Sequence, residues 1–96
     1  MKARVATWRG GDPAAVQANL DEIRSNAGAG PPEGIPSVGL MVLQREGEVL
    51  FIGLFETEED LRQGDATLNA RDPTVAMGER TVAFYDVPIK LDAQRS

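Results

Sequence analysis

The stretch VLFIGLF, residues 49–55, is apolar at every position except one glycine. Side chains alternate across a β-strand, so Leu50, Ile52 and Leu54 point one way and Val49, Phe51 and Phe55 the other. The run before it repeats the pattern, with Val38, Leu40 and Val42 on one side and Met41 and Leu43 on the other. An antiparallel sheet with a solvated face alternates apolar with polar. These strands do not, so both of their faces need cover. Leaving three or four large aliphatic side chains wet forgoes about 1.5–3 kcal/mol each.

What the chain itself can supply as cover follows from its order of elements. KARVATWR, residues 2–9, reads as a strand. Asp12 is placed to cap a helix with Pro13 at its first position. Val16, Leu20, Ile23 and Ala27 form one apolar stripe on that helix, which Gly28 should end. GAGPPEGIP, 28–36, is a loop. Strands over 37–45 and 48–55 flank a Glu46–Gly47 hairpin turn. Thr57 caps a second helix whose first turn holds Glu58, Glu59 and Asp60, where the helix dipole favours acids. Asp60 stands where a capping box prefers Glu or Gln, and Glu58 can pair with Arg62. Leu61 and Leu68 mark the buried stripe, with Gly64 and Asp65 between them. A glycine inside a helix costs about 1 kcal/mol relative to alanine; it implies close approach to a strand, a ligand or a partner subunit, or a helix that stops early. RDPT breaks the helix, an irregular stretch runs to Gly78, a fourth strand spans 80–87, and the tail LDAQRS is expected to be solvated.

The order β-α-β-β-α-β is that of a ferredoxin-like α+β fold: one domain over 1–96, a four-stranded antiparallel sheet and two helices on one face. Two helices cover only one face. A second copy of the chain, related by a two-fold axis, is the simplest cover for the other. The expectation is a homodimer.

Composition narrows the chemistry. The chain has 96 residues, no cysteine and no histidine. Disulfides, thiolate or histidine metal sites, Ser-His-Asp triads and histidine-ligated haem are thereby excluded. Carboxylate, tyrosine, lysine and water remain for acid–base work. A net formal charge of −5 with scattered arginines argues against nucleic acid and against acidic lipid. Cys-x-x-Cys, basic aromatic sheet motifs and phosphate loops are all missing. No segment reads as a signal peptide or has membrane-spanning length, so the expected location is the cytoplasm. Abundant Ala, Gly and Arg with little Lys suggest a GC-rich bacterial source.

In element order, and in LFETEEDL at residues 54–61, the chain resembles the dimeric α+β barrel superfamily, particularly its antibiotic-biosynthesis-monooxygenase-like branch. The resemblance implies that two ferredoxin-like subunits press their sheets into a closed barrel. Phe55 occupies the family's aromatic position at the exit of strand three. Many members carry a histidine in the second helix; Gly64 and Asp65 stand in that region here. Members that degrade haem use that histidine with a Trp and an Asn. Phe55 replaces the Trp, and Thr7 is the nearest residue to the Asn, so the resemblance does not extend to haem degradation. Cofactor-free members that oxidise aromatic substrates with dioxygen need a dry pocket and a few polar groups.

On this basis Asp65 and Tyr85 are the candidate catalytic groups. Thr7, Trp8, Phe51, Phe55 and Leu68 are the candidate ligand contacts. No cofactor and no metal are expected. Each residue also has a structural reading: Phe51 and Phe55 as core, Trp8 as a packing or interface residue, Tyr85 at the rim of an edge strand, Asp65 as a solvated acid, and Asn69 with Arg71 as a helix end. Three functions follow. The first is a homodimer binding a small apolar or aromatic molecule in a pocket between sheet and helices, with the Gly/Pro-rich loop at its rim. The second is a cofactor-independent, monooxygenase-like enzyme acting on an aromatic or polyketide-like substrate, and the third a purely structural or partner-binding dimer.

Overall fold

Asp12 and Thr57 start the two helices as the sequence implies. In the computed structural model, which describes residues 1–26, 34–70 and 78–91, the Ala14 N–H donates to the Asp12 carboxylate at 3.1 Å. The Asp60 N–H donates to the Thr57 hydroxyl at 3.1 Å. The elements are β1 (Lys2–Gly10), α1 (Pro13–Ser25), β2 (Gly39–Arg45), β3 (Glu48–Phe55), α2 (Glu58–Ala70) and β4 (Gly78–Asp86). The expected order is therefore the observed one.

The bounds differ at four points. Helix α1 stops at Ser25, where the Asn26 N–H closes onto the Glu22 and Ile23 carbonyls. Strand β2 starts at Gly39, although Val38 still donates to the Leu54 carbonyl. Strand β1 runs one residue past 9, to Gly10, and β4 is displaced to 78–86. Residues 27–33, 71–77 and 92–96, which include Gly28, most of the Gly/Pro-rich loop, the RDPT break and nearly all of the expected tail, lie outside the described residues. Neither described helix is long and apolar enough to cross a membrane.

The sheet is antiparallel in the order β2-β3-β1-β4. Residues directly opposite one another across antiparallel strands share a face. One face carries Lys2, Arg4, Ala6 and Trp8 of β1 with Val49, Phe51, Gly53 and Phe55 of β3, and both helices lie on it. Leu20 of α1 packs on Val49, with Trp8, Val16, Val42 and Phe51 around them. Leu61 of α2 packs on Phe55 and Ile35, with Leu68 beside them.

The other face is a grid of four rows, each running from β2 through β3 and β1 to β4. Gly39, Leu54, Ala3 and Tyr85 form the first row, and Met41, Ile52, Val5 and Ala83 the second. Leu43, Leu50, Thr7 and Thr81 form the third; Arg45, Glu48, Arg9 and Glu79 form the last. No described element of the chain packs on this face, and Met41, Leu43 and Tyr85 are 52%, 45% and 57% exposed.

Gly64 is explained by the seating of α2. A Cβ there would lie 2.6 Å from the Phe55 ring, and Phe55 is 1% exposed and cannot retreat. The helix continues through it to Ala70, so the glycine serves close approach to a strand. At the hairpin, Gly47 takes the left-handed conformation, with φ 77°, that the tight turn requires.

Candidate functional site

Helix α1 reaches the sheet chiefly through Leu20. Its first turns stand over the β2–β3 hairpin, where the alternation Leu40, Val42, Gln44 ends in a polar side chain and apolar filling runs out. A cleft of about 480 Å³ is left there, lined by Trp8, Gly11, Pro13, Val16, Gln17 and the hairpin from Gln44 to Val49. Its volume falls in the range of small-molecule sites, about 300–1,000 Å³. Trp8 and Val49 form its floor toward the sheet. The Arg80 guanidinium lies 5.7 Å from the centre of the indole ring, within cation–π range. Gln17 donates from Nε2 to the Asp21 carboxylate at 3.0 Å. Its carbonyl oxygen accepts no bond within the described residues.

A second polar group lies under α2. Arg4, 6% exposed, donates from Nε to Asp65 Oδ1 at 2.8 Å and from one terminal nitrogen to Asn69 Oδ1 at 3.4 Å. Asn69 in turn donates to Asp65 Oδ2 at 3.2 Å. Both oxygens of Asp65 are thus engaged, and its side chain is 23% exposed. A buried guanidinium needs such a partner, because an unpaired charge under a helix is costly.

Two charged groups bound the open face and the sheet ends. Glu48 Oε2 accepts from Arg9 at 2.8 Å and from Arg45 at 3.2 Å. Hydrogen bonds from Arg9 first, then Arg45, hold the Glu48 carboxyl below its usual range. At the other end Lys2 pairs with Asp86. Their hydrogen bond raises the Lys2 ammonium and lowers the Asp86 carboxyl from their ordinary values.

The residues singled out from sequence do not converge. Trp8 lines the cleft. Phe51 packs beside it against the Leu20–Val49 cluster. Phe55 and Leu68 belong to the core under α2. Thr7 and Tyr85 sit on the open face, whereas Asp65 reaches the sheet from the helix side through Arg4. The sheet itself separates Asp65 from Tyr85.

Sequence reasoning passed over Arg4, Gln17 and Gln44. For Arg4 a signal existed. Asp65 and Asn69 fall at helical spacing on the side of α2 that holds Leu61 and Leu68, and an acid–amide pair beside an apolar stripe calls for a cation opposite. No family model matches this sequence, and no curated protein matches it significantly.

Proposed function

We propose that the protein acts as a homodimer that binds a small apolar or aromatic molecule in the cleft between its sheet and α1, as the resemblance to dimeric α+β barrels also implies. The cleft beside Trp8 carries this reading. It joins an aromatic wall and the apolar surfaces of Pro13 and Val16 to carboxamides at its edge, the mixture that orients a planar ligand. The exposed apolar face of the sheet supports the dimer, since a contiguous apolar patch rimmed by charge marks an interaction surface. The Arg4–Asp65–Asn69 group seats α2 and is engaged within itself, so the reading assigns it no part in binding.

Trp8 is the only tryptophan of the chain, so its emission reports on the cleft directly. Titration with bicyclic phenols such as naphthalenediol should change that emission saturably. The Val16→Phe variant, which narrows the cleft and adds no second indole, should weaken or abolish binding while keeping the fold. Equal binding by both proteins, or none by the unmodified one across a panel of small aromatics, would remove the reading.

A further inference from the structure

We propose that the cleft beside Trp8 takes an aromatic carboxylate whose charge is held by Arg80; this rests on the cleft reading of the preceding section and names the chemistry of its ligand. Register places Arg80 at the site. On the helix face, the row nearest the hairpin runs Gln44, Val49, Trp8 and Arg80 across the four strands. The first three line the cleft, and neighbouring strands lie about 4.8 Å apart. Arg80 is therefore the next position beyond the Trp8 wall, with its guanidinium 5.7 Å from the centre of the indole.

This guanidinium differs from the others in having no acid. Arg4, Arg9, Arg24, Arg45 and Arg62 each pair with a carboxylate of the chain. Among the described residues Arg80 alone of the arginines has no such partner, in a chain with 15 acidic side chains against 10 basic ones. Arg80 is half-buried. The indole attracts its charge but accepts few of its five N–H donors. Those donors form a rigid planar fork that fits the two oxygens of a carboxylate. A bound carboxylate would give Arg80 what the other five arginines find within the chain.

Charge also selects the kind of anion. One guanidinium balances one negative charge. Glu46 and Glu48 line the hairpin side of the same cleft. Glu48 is answered by Arg9 and Arg45, but Glu46 is exposed and keeps the field at that side negative. A dianion such as a phosphate monoester carries a second charge that meets this repulsion unbalanced. A monoanion avoids it when its charge lies at Arg80, two strands from the hairpin. The ligand then has an order: its ring lies among Trp8, Pro13 and Val16, and its carboxylate passes the edge of the indole to Arg80.

Isothermal titration calorimetry with naphthoate and with naphthamide, its uncharged counterpart, tests this. The unmodified protein should bind the acid about tenfold or more tightly than the amide, through one charge-assisted contact. Arg80→Gln should lose that preference and bind the amide as before, and Arg80→Lys should keep part of it. Equal binding of acid and amide by the unmodified protein, or a preference that survives in Arg80→Gln, would overturn the inference and leave the cleft reading standing. Loss of the amide along with the acid in Arg80→Gln would show that Arg80 braces the Trp8 wall, and would overturn the inference as well. Binding of naphthalenediol without naphthoate would overturn this inference alone. Binding of none of the three would remove the cleft reading and the inference together.

Discussion

The two faces of this sheet solve the same problem by different means. On the helix face the chain closes its own core over the central strands β1 and β3, while Leu40 and Phe84 on the edge strands stay exposed. Phe55 and Val49 are fully buried, Gly64 lets α2 approach the Phe55 ring, and the one buried charge among the described residues, Arg4, is answered by Asp65 and Asn69. On the open face the same two central strands present Leu50, Ile52, Leu54 and Val5 with no cover from any described element. The first face is specified by contacts within the subunit. The second presents apolar rows bounded by a charged row, and the proposed homodimer would cover it. Damage to the first should lower stability at any protein concentration; damage to the second should act through concentration.

The largest effect is expected at the centre of the open face. In the proposed homodimer, Ile52→Asp would place a carboxylate in the middle of each half of the interface, at about 2 kcal/mol per copy. Two copies together weaken the dimer roughly a thousand-fold, which sedimentation over a dilution series would measure. A dimer of unchanged affinity would show that Ile52 faces solvent in the assembly.

On the helix face, Asp65→Ala leaves the Arg4 charge without its partner. Removing one member of a fully buried ion pair costs about 3–5 kcal/mol, and the partial exposure of Asp65 reduces this to about 2–3 kcal/mol. The melting temperature should fall by roughly 10–20 °C for a domain of this size at fixed protein concentration. Gly64→Ala comes next. It improves helix propensity by about 1 kcal/mol but drives a methyl group into Phe55, and overpacking of this kind costs about 1–3 kcal/mol. The net change should be destabilising, by about 1 kcal/mol, in thermal or denaturant unfolding. A more stable Gly64→Ala protein would mean that α2 sits farther from β3 than described.

The smallest effect lies at the charged row. Glu48 has its pKa lowered in the folded state, so its contribution is present above the unfolded value and is lost as pH falls through the folded one. Glu48→Gln should therefore be less stable than the unmodified protein near neutrality, and the gap should close on acidification below about pH 4.5. Arg9 and Arg45 are mostly exposed, which keeps the difference small. A gap that widens with acid would contradict the sign.

Much of this division was readable from sequence. The caps at Asp12 and Thr57, the turn at Gly47 and the doubly apolar β3 depend on neighbours a few residues away, and each is found where the sequence puts it. The Glu58–Arg62 pair is local in the same sense, and forms at 3.2 Å. What could not be read depends on register. Strand β1 alternates Ala3, Val5 and Thr7 with Arg4, Ala6 and Trp8, and neither set is polar enough to identify the solvent side. Only its pairing with β3 shows that Trp8 faces the helices while Thr7 faces away. The same holds for Tyr85 on β4. The bond between Arg4 and Asp65 spans 61 residues, beyond any local pattern. Gly64 was legible as an anomaly, but its cause, the Phe55 ring, was not. The cleft under α1 was hidden for a related reason: it arises where Gln44 ends an apolar alternation, and the packing of a helix above that point is not written in β2.

Sedimentation equilibrium of the unmodified protein at micromolar concentration tests the central claim most directly, because the account requires the open face to be covered by a second copy. The prediction is a single species of twice the chain mass, dissociating only on strong dilution. One chain mass across the whole range would contradict it, and would mean that the apolar side chains of β2 and β3 stand exposed in the working protein.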